Sequence, residues 1–352
     1  MKKKLTKLLI VVIAANANLY SQPNKEKHVK FPVSYSITGQ DLSIIHTQPV
    51  LLAEMSIVSN KDYLLSFNAL NDTIFRVFKL PELEYAGSFG TQGRGPREFG
   101  IFHPSALPEG FLIPNSGKFT IVSFNQNERI TDKNFIIKQN IRLPGEFHLP
   151  NDAMILNDTL LCVKSYESKM QLQCVNPRTN KIYHLIEYPK YYSNAPISTN
   201  TIIYSGSKSL SPDRKNIAIA YNRLPLVQFF SAEGKLLRET FIDEGPRQKR
   251  DVQFAEGSVT NLRDLYSFYG RTRSTNRFVY ASYLVRTFNN NQRTTYTTSQ
   301  IHIFNWRGDP ILKLELPKGM LFEPSYDDKW IYFIDNAYSD RILKFDLSKF
   351  LK

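Results

Sequence analysis

Apolar residues in this chain either alternate with polar ones or run together for a handful of positions. They rarely recur at the spacing of a helical face. The strong segments are rich in Ile, Val, Phe and Tyr and are bounded by Asn, Asp, Gly and Pro, which predicts strands and turns. The strands recur as a hairpin. One copy is Tyr63-Leu64-Leu65-Ser66-Phe67, a polar turn, and Asp72-Thr73-Ile74-Phe75-Arg76-Val77. Another is Ile331-Tyr332-Phe333-Ile334, a turn, and Asp340-Arg341-Ile342-Leu343-Lys344-Phe345. Their second strands match position by position: Asp, any residue, Ile, apolar, basic, apolar.

Weaker copies begin near Gly110, Thr159, Asn216 and Phe278, giving six hairpins at a spacing of roughly 50 residues. Segments such as Glu54–Val58 before a hairpin and Leu83–Phe89 after one supply two more strands per repeat. Four antiparallel strands per repeat without helices predict an all-β fold, a six-bladed β-propeller. The last hairpin runs almost into the C-terminus, so its outer strand is missing. The segments Val33–Ile37 and Leu42–Ile45 have no other home and are expected to close the last blade. The competing count is seven blades, with the extra one inside 244–300.

Of 352 residues, 45 are Lys or Arg and 32 are Asp or Glu, a formal net charge of +13. The length alone allows two or three domains; the repeats reduce this to one ring. Residues 1–21 have the pattern of a secretory signal: Lys2, Lys3, Lys4 and Lys7, then the apolar run Leu8–Ala15, then Ala15-Asn16-Ala17. That run is shorter than the roughly 20 residues that span a bilayer. The expected organisation is a signal peptide at 1–21, a tail at 22–30 and the propeller at 31–352. Removing the four leader lysines lowers the charge from +13 to +9. The expected location is periplasmic or secreted. It is not lipid-anchored, because the first cysteine is Cys162. Export argues against nucleic acid as a partner, and a positive field favours anions.

Gly87-Ser88-Phe89-Gly90-Thr91-Gln92-Gly93-Arg94-Gly95-Pro96-Arg97-Glu98-Phe99 reads as a joint between blades. Gly93 and Gly95 can take positive φ, Pro96 fixes the chain direction, and Phe99 packs between blades. The segment resembles the Gly-x-Gly-Pro-x-Glu-Phe linker of the TolB-like six-bladed propeller family, kin to the NHL-repeat propellers. Degraded copies stand at Leu143–Phe147 and Glu244–Arg247. The resemblance implies a propeller over nearly the whole mature chain, in a family of exported proteins and lipoproteins. It implies no particular activity.

Arg94, Arg97 and Arg247, with His103 and His148 before neighbouring inner strands, form the expected ligand-binding set at one channel mouth. Cys162 and Cys174 lie symmetrically about Ser168, so a turn there makes them cross-strand partners within disulfide reach. Two reduced, packed thiols are the other reading. The six histidines show no metal-ligand spacing. Asp327-Asp328 and Ser211-Pro212-Asp213-Arg214 read as turn chemistry. The stretch from Arg263 to Gln300 interleaves arginines with tyrosines. It reads as an extended blade or as a second, stacking site.

No nucleophile elbow, phosphate-binding glycine loop or catalytic set can be assembled. No catalytic residue or cofactor is assigned, calcium being the one metal considered. The function expected is an exported, monomeric binding propeller for an anionic glycan, a peptide or an envelope protein. The competing classes are a metal-dependent, lactonase-like hydrolase or lyase and a scaffold of an envelope complex.

Overall fold

The computed structural model describes residues 28–48, 51, 54–70, 72–93, 95, 97–100, 103–115, 118–144, 151–164, 170–191, 200–242, 266–287, 295–296, 299–317, 319–334 and 340–351. They form six antiparallel blades. Blade 1 holds Ser56–Ser59, Tyr63–Phe67, Phe75–Lys79 and Glu84–Phe89. Blade 2 holds Ser105–Leu107, Gly110–Asn115, Lys118–Ser123 and Ile136–Arg142. Blade 3 holds Asn151–Asn157, Leu160–Lys164, Met170–Asn176 and Lys181–Glu187. Blade 4 holds Gly206–Leu210, Asn216–Tyr221, Leu226–Ser231 and Leu236–Ile242. Blade 5 holds Ser267–Ser274, Phe278–Thr287, Gln300–Asn305 and Pro310–Glu315. Blade 6 holds Leu321–Pro324, Trp330–Ile334, Arg341–Asp346 and, as its outer strand, Leu42–His46.

The apolar runs have a direct cause. A middle strand has both faces packed against neighbouring blades, so Tyr63–Phe67 is buried at every position. The outer strand Ile136–Arg142 is mostly exposed and carries Lys138, Gln139 and Asn140. The described core divides into six apolar clusters, one per blade interface. Phe67 and Phe99 meet Phe111 between blades 1 and 2, and Ile57 and Leu64 meet Tyr332 between blades 1 and 6. This last cluster shuts the ring.

The N-terminal segment touches three blades rather than one. His28–Val29, in the stretch expected as a tail, pairs in parallel with Phe241 and Ile242 of blade 4. Ser34–Ser36 pairs in parallel with Lys313–Glu315 of blade 5. Leu42–His46 then pairs antiparallel with Arg341–Phe345 and completes blade 6. Only the second of the two segments expected on the last blade lies there. A break between them moves the chain across: Asp41 accepts from Thr38 N–H and Oγ1–H at 2.7 Å and from Tyr35 O–H at 2.6 Å. The 244–300 stretch hides no seventh blade among the described residues. Its strands are the inner part of blade 5, and Thr295–Tyr296 extends that hairpin.

The turns read from Ser and Asp are equivalent in blades 4 and 6. Ser211 donates to Asp213 at 2.6 Å and accepts from Asn216 N–H at 3.0 Å. Ser325 donates to Asp327 at 2.8 Å and accepts from Trp330 N–H at 2.9 Å.

Candidate functional site

The inner strands of the blades surround a cavity of about 500 Å³ on the ring axis. Its two sides differ. Blades 2 and 3 contribute Ala106, Leu107, Ala153, Met154 and Ile155 to the wall. Blades 4, 5 and 6 contribute Ser207, Lys208, Ser209, Arg271, Arg273 and Glu323. Arg214 and Tyr326 lie at the turns of blades 4 and 6, and Glu323 is the one acidic side chain among the described lining residues.

Blade 5 supplies two arginines because Ser267–Ser274 is long and irregular. Its pairing with the next strand shifts twice, between Ser267 and Tyr269 and between Tyr269 and Thr272. Thr272 faces blade 4, where its N–H donates to Ser207 Oγ at 2.9 Å. Arg271 and Arg273, one step either side, reach the other way. Arg271 Nη2 donates to Met55 O at 3.2 Å. Arg273 Nε pairs with Glu323 Oε2, Nη2 donates to Ile57 O at 2.8 Å, and Nη1 donates to Thr272 O at 3.1 Å. All three nitrogens of Arg273 therefore have protein acceptors.

Glu323 is 4% exposed, and its Oε1 accepts from Ser59 N–H at 2.9 Å. Burial pushes its carboxyl pKa up; Arg273 and the Ser59 N–H oppose that. Lys208 is 6% exposed, with Nζ 3.4 Å from Gly206 O. Beside it on the strand, Ser209 is 7% exposed and its hydroxyl has no hydrogen-bond partner. A buried hydroxyl left unpaired costs about 1–3 kcal/mol, so a ligand atom there would recover that cost.

Of the expected ligand set, His103 and Arg97 are described, and they are placed differently. His103 lines the cavity, with its ring edge-on to Phe67 at 5.9 Å. Arg97 is absent from the lining. It donates to Asp132 O at 2.8 Å and Phe135 O at 2.7 Å, and its guanidinium lies 3.9 Å from the Phe135 ring centre. Its charge is used to clamp blade 2 onto the joint. Arg94, His148 and Arg247 lie outside the described residues.

The joint motif is built around Glu98. Its Oε2 accepts from Gly95 N–H at 2.7 Å, and a Cβ on Gly93 would stand 2.0 Å from that oxygen. Neither Gly93 nor Gly95 uses the positive φ open to glycine; both are small because the carboxylate folds under them. Phe99 is buried among Phe75, Phe89 and Phe135, between blades as expected.

Sequence reasoning did not single out Lys208, Ser209 or Glu323. A lysine between two serines on a predicted inner strand was the available signal for the first two. In the described part of the Arg/Tyr stretch, Tyr269, Tyr280 and Tyr283 are buried between blades, Arg271 and Arg273 line the cavity, and Arg277 lies over the Phe278 ring.

Cys162 and Cys174 are cross-strand partners in blade 3, buried and joined as a disulfide. Among the described residues, no three His, Cys, Asp or Glu side chains stand together as metal ligands. No described helix is long and apolar enough to cross a membrane.

The fold and sequence have relatives. A crystal structure of a DUF4221-family member from Bacteroides vulgatus matches with a TM-score of 0.56 and 12% identity over 88% of this chain and 98% of that one. A putative exported protein from Bacteroides fragilis matches with a TM-score of 0.55 and 13% identity over 89% of this chain and 98% of that one. At these identities the likeness is one of fold. No curated protein is significantly similar in sequence. The model of the TolB-like six-bladed propeller family matches residues 40–321, four-fifths of the chain, and the chain belongs to that family.

Proposed function

We propose that the chain is an exported, monomeric binding propeller whose central cavity takes an anionic ligand. One observation carries this reading: Lys208, Arg214, Arg271 and Arg273 line the cavity against the single carboxylate of Glu323 among the described residues. Low-dielectric walls strengthen such a field; Glu323 pairs with Arg273, and at the rim Arg214 pairs with the exposed Asp158 at 3.4 Å. A cavity of about 500 Å³ lies within the usual range for small-molecule sites. Export is supported by the leader pattern of residues 1–21 and by the description of the B. fragilis neighbour.

Calorimetric titration of the purified propeller with small carboxylates and their neutral amides tests the binding reading. Anions should bind, their affinity should fall with added salt, and the amides should bind at least about tenfold more weakly. Equal affinity for acid and amide would refute it. For export, the protein should appear outside the cytoplasm with its N-terminus near residue 22. Cytoplasmic protein that retains Met1 would refute that part.

A further inference from the structure

The cavity is two-sided, and this restricts the anion further. We infer that its ligand is a small amphipathic carboxylate, with the charged group against blades 4 and 5 and an apolar body against blades 2 and 3. The inference rests on the anionic-ligand reading above and narrows it.

The polar wall runs along two consecutive inner strands. Lys208 and Ser209 of blade 4 and Arg271 of blade 5 all line it. Ser207 and Thr272 hydrogen-bond each other across the seam at 3.0 Å, and Ser274 O–H donates to Leu210 O at 2.8 Å, so the two strands are fixed relative to each other. The seam contains one buried hydroxyl without a partner, that of Ser209. Arg273 is withdrawn from ligand duty, because each of its nitrogens already has an acceptor. A carboxylate needs donors for only two oxygens, which suits a wall so largely committed to protein acceptors.

The facing wall has a different chemistry. Ala106 and Leu107 of blade 2 and Ala153, Met154 and Ile155 of blade 3 line it; Ala106 is exposed, Leu107 and Ile155 are half-buried, and the polar side chains on this side are His103 and Ser105 of blade 2. A saccharide carries hydroxyls over most of its surface. Placed here, the hydroxyls turned to blades 2 and 3 would find only His103 and Ser105 as side-chain partners, and each one left unpaired would cost about 1–3 kcal/mol. An apolar body gains from contact with Ala106, Leu107 and Ile155. The charge selects the end of the ligand and the apolar wall selects its body.

The probes are 4-phenylbutyrate, its neutral amide, galacturonate and inorganic phosphate, titrated calorimetrically into the mature protein. 4-Phenylbutyrate should bind at least about tenfold more tightly than each of the other three. Arg271→Gln should weaken it by about tenfold, the loss of one charge-assisted hydrogen bond. Ala106→Asp changes an exposed position on the apolar wall and should weaken it at least as much, with the unfolding midpoint unchanged. If galacturonate or phosphate binds as well as 4-phenylbutyrate and loses affinity in Arg271→Gln, the amphipathic inference is wrong and the anionic-ligand reading stands. If the amide equals the acid, or none of the four binds, both fall. If 4-phenylbutyrate binds but Ala106→Asp leaves its affinity unaltered, the placement of the apolar body is wrong.

Discussion

The guanidinium of Arg273 on blade 5 is ion-paired with the carboxylate of Glu323 on blade 6, and each also bonds blade 1, at Ile57 O and Ser59 N–H. Three blades, including both sides of the ring closure, therefore meet at one buried pair. Such a pair adds little over well-packed apolar groups, but removing one partner strands the other. Arg273→Ala should destabilise the fold by about 3–5 kcal/mol, read from the urea midpoint. Arg273→Met combined with Glu323→Gln should recover most of that loss. A double variant as unstable as the single one would show that the charges are not what is missed.

His302 makes stability fall in mild acid. Its ring lies between Tyr283 at 4.3 Å and Phe31 of the N-terminal segment at 4.5 Å. The neutral tautomer satisfies both partners, with Nε2 toward Gln300 Oε1 at 2.9 Å and Nδ1 toward Tyr269 O–H at 3.1 Å. Burial, helped by the charge of Lys313, holds its pKa well below 6.5. The unfolded chain therefore takes up this proton first. Stability is full above about pH 6.5 and declines below it, by up to about 1.4 kcal/mol per pH unit. Thermal midpoints between about pH 5 and 6.5 should slope for the native protein and flatten for His302→Gln. An identical slope in both would remove His302 as the cause.

The disulfide closes a short loop, with a sequence separation of 12. Chain-entropy arguments give it about 3 kcal/mol. Thiol titration of the denatured, unreduced protein should find no free thiol. Reductant, or Cys162→Ser with Cys174→Ser, should lower the thermal midpoint. A midpoint indifferent to reductant, with the bond confirmed broken, would contradict this.

Glycine at 87 is required by both space and conformation. Its φ is +138°, and an added Cβ would meet Ile130 O at 2.1 Å, where the chain bridges onto the edge of blade 1. Gly87→Ala should cost about 3 kcal/mol or more. Gly39 has nothing within 4 Å and no positive φ, so Gly39→Ala should be neutral or stabilise by up to about 1 kcal/mol. Equal denaturation midpoints for the two variants would refute the distinction.

Truncation separates the roles of the N-terminal strands. Among the described residues, starting the chain at residue 31 loses the short His28–Val29 pairing and the packing of Val29 at the edge of one core cluster, and should leave a folded ring. Starting it at residue 48 removes the outer strand of blade 6 and exposes the edge of Arg341–Asp346. That protein should aggregate or unfold well below the first variant's midpoint. If both melt alike, Leu42–His46 does not hold the ring shut.

The sequence by itself determined the ring. Strand alternation, turn residues and hairpin spacing are local, and each blade repeats them, so six blades and an outer strand borrowed from the N-terminal segment could be read, but not that Ser34–Ser36 pairs with blade 5 and only Leu42–His46 with blade 6. The Cys162–Cys174 register followed from symmetry about one turn for the same reason. The cavity is different in kind. Its wall joins side chains from strands tens to hundreds of residues apart, such as Ser59, Ser209, Arg273 and Glu323. Sequence does not order them about the axis. Two register shifts in Ser267–Ser274 decide that Arg271 and Arg273 turn inward while Tyr269 is buried between blades. Arg97 looked like their equal, yet the fold gives it the Phe135 ring and two carbonyls. Charge is a property of the residue, but whether it faces a ligand or a neighbouring blade depends on packing around the whole ring, which only the tertiary structure decides.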